Sequence, residues 1–130
     1  MIERTLEVLR AGPPLRLAVL FGSRATKRAR ANSDVDIAIV PRDGTFQFND
    51  ELRISSQLSK RLRLKIDLIR GDQASALHRF AIARDGVLLQ ADSPAEWSRF
   101  RGQAASEHAE IAEIIERTTN LFRQRPTRQM

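Results

Sequence analysis

The amino-acid sequence predicts an α/β or α+β fold around a small sheet. Strand-length apolar runs alternate with helix-length amphipathic stretches, and glycine or proline stands at most junctions. The 130 residues suit one domain, 1–130, which at this size buries roughly two-thirds of its extended-chain surface. No internal repeat, linker or low-complexity segment interrupts the pattern before the C-terminal tail.

Ile2, Leu6 and Leu9 recur at helical spacing, and Gly12-Pro13-Pro14 closes that first helix. Leu15 to Phe21 is a compact apolar run with only Arg16 charged, as a buried strand requires. The polar stretch Ser23 to Ser33 has the Ala and Arg content for a short helix beginning near Gly22 and Ser23. Asp34 to Val40 alternates acidic and apolar residues before Pro41 and Gly44, so a second strand is expected. Between 47 and 63, Phe48, Leu52, Ile54 or Ser55, Leu58 and Leu62 lie three or four apart, the spacing of an amphipathic helix. Leu64 to Ile69 reads as a third strand. Asp72 is placed to cap a helix holding Leu77, Phe80 and Ile82, which Asp85-Gly86 ends before a fourth strand at Val87 to Gln90. A long amphipathic helix covers about 94–122, and the basic tail 123–130 is expected to fray. Trp97 and Phe100 read as cover for the sheet, whereas the stripe from Ile111 to Phe122 fits either a core or a partner's helix.

Composition narrows the classes of function. With no cysteine, neither a disulfide framework nor a thiolate zinc site can form, and the cytoplasm is the expected location. The N-terminus lacks a signal-peptide pattern and no apolar run reaches about 18 residues, so no membrane association is expected. The formal charge of +6 attracts polyanions, and it is carried mostly by arginine, whose planar fork matches phosphates and carboxylates. There is no tyrosine and no aromatic array on which bases would stack, which argues against direct nucleic-acid binding. His78 and His108 have no acidic or serine partner nearby in sequence and read as ordinary helix residues.

The chemistry concentrates in Phe21-Gly22-Ser23-Arg24 and, ten residues after Arg24, in Asp34-Val35-Asp36. In a strand Asp34 and Asp36 share a face, while Val35, Ile37 and Ile39 pack behind it. Two close carboxylates repel unless a cation lies between them, a role suited to Mg²⁺ with its preference for oxygen ligands. Asp67 interrupts the apolar strand Leu64–Ile69 on the face opposite Leu64, Ile66 and Leu68. Were that strand to pair beside the second one, Asp67 would complete a site for two metal ions, the arrangement of in-line phosphoryl displacement. A strand that ends at Gly22 and turns into a helix lets backbone N–H groups approach an anion, and the Ser23 hydroxyl adds a donor. Arg24, Lys27, Arg28 and Arg30 can add positive charge, or simply be solvated. The bland alternative has Asp34 capping a turn with Ser33, Asp36 solvated, and Asp67 paired with Lys65 or Arg70.

Gly-Ser, a gap of about a dozen residues, Asp-x-Asp and a later strand-borne Asp together resemble the signature of the DNA polymerase β-like nucleotidyltransferases. The nearest resemblance is to the minimal nucleotidyltransferases, whose wider motif runs Gly-Ser-Arg-Ala-Arg-Gly and then Ser-Asp-x-Asp. Here the segments are Gly22-Ser23-Arg24-Ala25-Thr26-Lys27 and Ser33-Asp34-Val35-Asp36, with Lys27 where glycine is common. The resemblance spans a catalytic core of about 15–90. It implies a mixed sheet flanked by helices, a pair of Mg²⁺ ions, and nucleotidyl transfer from a nucleoside triphosphate to a hydroxyl with release of pyrophosphate. Asp34 and Asp36 would bind metal, Asp67 would complete the second metal site and help deprotonate the acceptor, and Gly22, Ser23, Arg24 and Ser33 would meet the nucleotide. Members of this group are often encoded beside a helical HEPN ribonuclease toxin, and several transfer AMP from ATP to a toxin tyrosine. The resemblance therefore implies an antitoxin in a hetero-oligomer with such a toxin. Two other readings stay open: a module that blocks its partner by contact alone, and an adenylyltransferase of a small hydroxylated molecule such as an aminoglycoside, for which the short chain leaves little room.

Overall fold

The computed structural model describes residues 1–31 and 33–124. The chain runs α1 (Ile2–Ala11), β1 (Leu15–Phe21), a 3₁₀ turn at Gly22–Arg24, β2 (Val35–Pro41), α2 (Phe48–Leu62), β3 (Ile66–Arg70), α3 (Ala76–Asp85), β4 (Val87–Ala91) and α4 (Pro94–Gln124). The four strands form one mixed sheet in the order β3-β2-β1-β4. The central strand β1 is antiparallel to both β2 and β4, and β2 is parallel to β3. This is the α+β architecture expected from the sequence.

Alternation along the strands divides the core into two layers. On one face Leu20, Val35, Ile37 and Ile39 pack with Leu9 of α1 and with Ile54 and Leu58 of α2. On the other, Leu17, Val19, Ala38 and Val40 meet Ile82 of α3 and Phe100 and Ala104 of α4, with Trp97 partly buried beside them. The same alternation puts Asp36 on the side of Ala38 and Val40, at the end of the sheet where β1 finishes and β2 and β3 begin.

Two local expectations change. The helix after Gly22 amounts to one 3₁₀ turn, because Lys27 adopts φ 62°, a left-handed conformation that ends right-handed winding. Asp72 does not cap α3; Ser75 does, its hydroxyl accepting from the His78 N–H at 3.2 Å, while Asp72 accepts from Arg70 Nε and Nη2 at 2.9 and 2.7 Å. An N-cap acceptor must sit beside the first turn, and Asp72 is three residues too early. The expected tail beyond residue 124 lies outside the described residues.

The helix α4 has 31 residues, about 46 Å at 1.5 Å per residue, and outruns the sheet it covers. Phe100 and Ala104 are buried and His108 stacks on Phe80 at 3.7 Å, whereas Ile111, Ile114, Ile115, Leu121 and Phe122 are exposed. The distal stripe is therefore not core in this chain. His78 is exposed and His108 half-buried on their helices. Among the described residues no helix is long and apolar enough to cross a membrane.

Candidate active site

The site is built where β1 ends. Gly22 has φ +73°, and a Cβ on it would stand 2.1 Å from Asp36 Oδ2. Glycine is thus required on two counts: the left-handed backbone, and the close approach of the turn to the carboxylate. Phe21, Asp36 and Asp67 lie in register across β1, β2 and β3, so one row of the sheet carries both strand-borne acids.

Directly paired residues on adjacent strands point to the same side, and Asp67 accordingly lies beside Asp36. Burial pushes the Asp36 carboxyl above its ordinary value, and the charges of Asp67 and Asp34 push it further. A hydrogen bond with Asp67 also favours its protonated form. Asp34, just before β2, stands against Lys65, with Oδ2 3.9 Å from Nζ. Neither bland partner is taken by Asp67: Lys65 faces Asp34, and Arg70 pairs with Asp72 and Glu51. Among the described residues no three acidic or histidine side chains are already grouped around one ion position. The donor set nevertheless fits a hard divalent cation: Asp36 and Asp67 are oxygen donors whose mutual repulsion such a cation relieves, and Asp34, whose charge also acts on Asp36, is a third.

Between the turn and β2 the chain is tied to itself. The Thr26 N–H donates to the Gly22 carbonyl at 3.2 Å and the Arg28 N–H to the Ser23 carbonyl at 2.9 Å. The Ser33 hydroxyl accepts from the Arg30 N–H at 2.7 Å, and the Ser33 carbonyl accepts from the Arg24 guanidinium. Ser23 is half-buried beside Gly22, while Lys27, Arg28 and Arg30 are exposed. Lys65, expected at most as a partner of Asp67, precedes it by two and so shares its side of the strand, where it meets Asp34 instead. That alternation was the available signal.

This sheet, with a glycine turn over strand-borne carboxylates, defines a nucleotidyl-transferring class of protein. Residues 3–94 match the family described as "Polymerase beta, Nucleotidyltransferase", and the chain belongs to that family. It is 31% identical over 121 residues to the protein adenylyltransferase MntA of Aphanizomenon flos-aquae (strain 2012/KM1/D3), covering 86% of this chain and 81% of that one. In structure it resembles a chain of a toxin–antitoxin crystal structure with AMP-PNP, at TM-score 0.77, 24% identity, and coverage of 91% of this chain and 98% of that one. It also resembles a chain in the complex of the tri-AMPylated Shewanella oneidensis HEPN toxin with an MNT antitoxin, at TM-score 0.70, 23% identity, and coverage of 91% and 95%.

Proposed function

We propose that the protein transfers AMP from ATP to a tyrosine hydroxyl of a helical HEPN toxin and so acts as its antitoxin in the cytoplasm. The observation that carries this reading is the register of Asp36 against Asp67 under the Gly22 turn. The similarity to a protein adenylyltransferase supports the reaction type.

In this reading Gly22 and Ser23 receive the triphosphate, because the missing Cβ leaves backbone room next to the carboxylates. Ser33 closes the same end of the loop from the β2 side. Asp34, Asp36 and Asp67 would hold Mg²⁺, as two ions, which when bound supply charge neutralisation at the phosphates. The acceptor oxygen bonds to the α-phosphorus as the bond to the β-phosphate oxygen breaks, and pyrophosphate leaves. Asp67, exposed on the edge strand, accepts the hydroxyl proton. The exposed stripe of α4 offers apolar surface for the protein acceptor.

The test is incubation of labelled ATP and Mg²⁺ with the protein and the product of its neighbouring gene. Asp36→Ala is expected to lower the rate at least about a thousandfold, roughly 4 kcal/mol of barrier. Equal labelling by both proteins would end the enzymatic reading. The same stripe on α4 favours a second reading, neutralisation by contact alone; full neutralisation by the Asp34→Ala, Asp36→Ala variant would establish it.

A further inference from the structure

We infer that Arg24 is a positioning residue for Asp34 and Asp36, holding the chain that leads into them, rather than a phosphate ligand. The inference rests on the reading of these aspartates as metal ligands. Two of the three guanidinium nitrogens of Arg24 point back at its own loop. Nη2 donates to the carbonyls of Ser33 at 2.9 Å, Ala31 at 3.2 Å and Arg30 at 3.5 Å, and Nε donates to the Ser33 carbonyl at 3.3 Å.

The Ser33 carbonyl belongs to the peptide group that enters Asp34, so fixing it fixes the plane from which the Asp34 side chain departs. Among the described residues from Ala25 to Asp34 no helix or strand orders the backbone, and each residue held in place costs about 1–2 kcal/mol of conformational entropy. Bonds from a charged donor to several carbonyls offset part of that cost. Gly22 meanwhile lies against Asp36 Oδ2. The tripeptide Gly22-Ser23-Arg24 thus grips the Asp-x-Asp segment at both ends, with Gly22 on its carboxylate and Arg24 on its leading peptide. A guanidinium directed at three carbonyls cannot present those same N–H groups to a triphosphate. Lysine, a single-point donor, cannot reproduce the fork.

The test separates metal from nucleotide. Mn²⁺ binding is followed by electron paramagnetic resonance without nucleotide or acceptor, and binding of a fluorescent ATP analogue is followed separately in EDTA. Arg24→Gln is expected to weaken Mn²⁺ roughly 10- to 100-fold, the usual cost of removing support behind a metal ligand. Metal-free binding of the analogue is expected to stay within about twofold, and Arg24→Lys to recover only part of the Mn²⁺ affinity. Hydrogen exchange adds a local readout: faster exchange in 28–34 with an unchanged core is expected for both variants. Unchanged Mn²⁺ affinity in Arg24→Gln overturns the inference, and so does a parallel loss of analogue binding, which would make Arg24 a phosphate ligand. If Arg24→Gln does not fold, Arg24→Lys decides by the same two affinities. Wild type that binds no Mn²⁺ overturns the metal reading as well, whereas wild type and Arg24→Gln binding it equally overturns only the role of Arg24.

Discussion

The Gly22–Asp36 corner and the distal half of α4 are built on opposite terms. At the corner, a left-handed glycine, an aspartate pressed against it and a bonded loop leave little room for any other residue. Along the distal helix the same apolar stripe that buries Phe100 and Ala104 continues into solvent, where Ile114 is 59% exposed. Like charges persist at the corner because neighbouring contacts over-determine them. The helix arm carries no such constraint from its own fold, so its composition answers to something other than the stability of the monomer.

The sharpest way to break the comparison is Gly22→Ala. The new Cβ would meet Asp36 Oδ2 at 2.1 Å, and alanine at φ +73° adds backbone strain of about 1–2 kcal/mol. Moving Asp36 out of register with Asp67 should lower AMP transfer at least about a thousandfold, as loss of the carboxylate itself would. Turnover measured beside a thermal melt checks this. Near-normal turnover would mean that the turn has slack that the contact denies.

A pair of substitutions on one helix sharpens the other side. Phe100, 7% exposed, packs with Val40 and Ile82, and Phe100→Ala should cost about 3–5 kcal/mol. Ile114→Glu, on the same stripe fourteen residues on, should change the stability of the isolated chain by less than about 0.5 kcal/mol. Denaturant unfolding of both variants decides it. A large loss from Ile114→Glu would show that the isolated chain covers its own distal helix.

Much of this division was legible in the residues. The strands declared themselves because apolar runs of the right length ended at glycine or proline, and the site did so because Asp36 and Asp67 are acids inside such runs. The pairing of β2 with β3 was only a condition of the argument, since register is set by tertiary packing and leaves no local mark. The extent of the helix after Gly22 was misread because alanine content speaks for helix while Lys27 imposes a left-handed turn at the position where glycine is common in the motif. Asp34 precedes β2 by one residue, and its ion pair with Lys65 depends on a long-range neighbour that spacing alone does not reveal. Periodicity defined the stripe on α4 but not where the sheet beneath it stops.

The titration of Asp36 is the most diagnostic of why the corner is tolerated. In the folded chain the Asp36 carboxyl is pushed above its ordinary value by burial and by Asp67 and Asp34, whereas in the unfolded chain it titrates normally, near about 3.9. Its contribution to stability is therefore fully present below the ordinary value and is lost as pH rises through the raised one. At neutral pH the ionised group opposes folding, so Asp36→Asn, which mimics the protonated acid, should melt above wild type in EDTA. That advantage should shrink as the pH falls below the ordinary carboxylate value. Mg²⁺ should reverse the order, because a ligand that binds only the folded state at 100 times its Kd adds about 2.7 kcal/mol, and the variant lacks that carboxylate. Thermal melts at the two pH extremes, with and without Mg²⁺, supply the comparison. An Asn variant that melts below wild type in EDTA would mean that Asp36 is held by favourable contacts and that the strain assigned to this corner lies elsewhere.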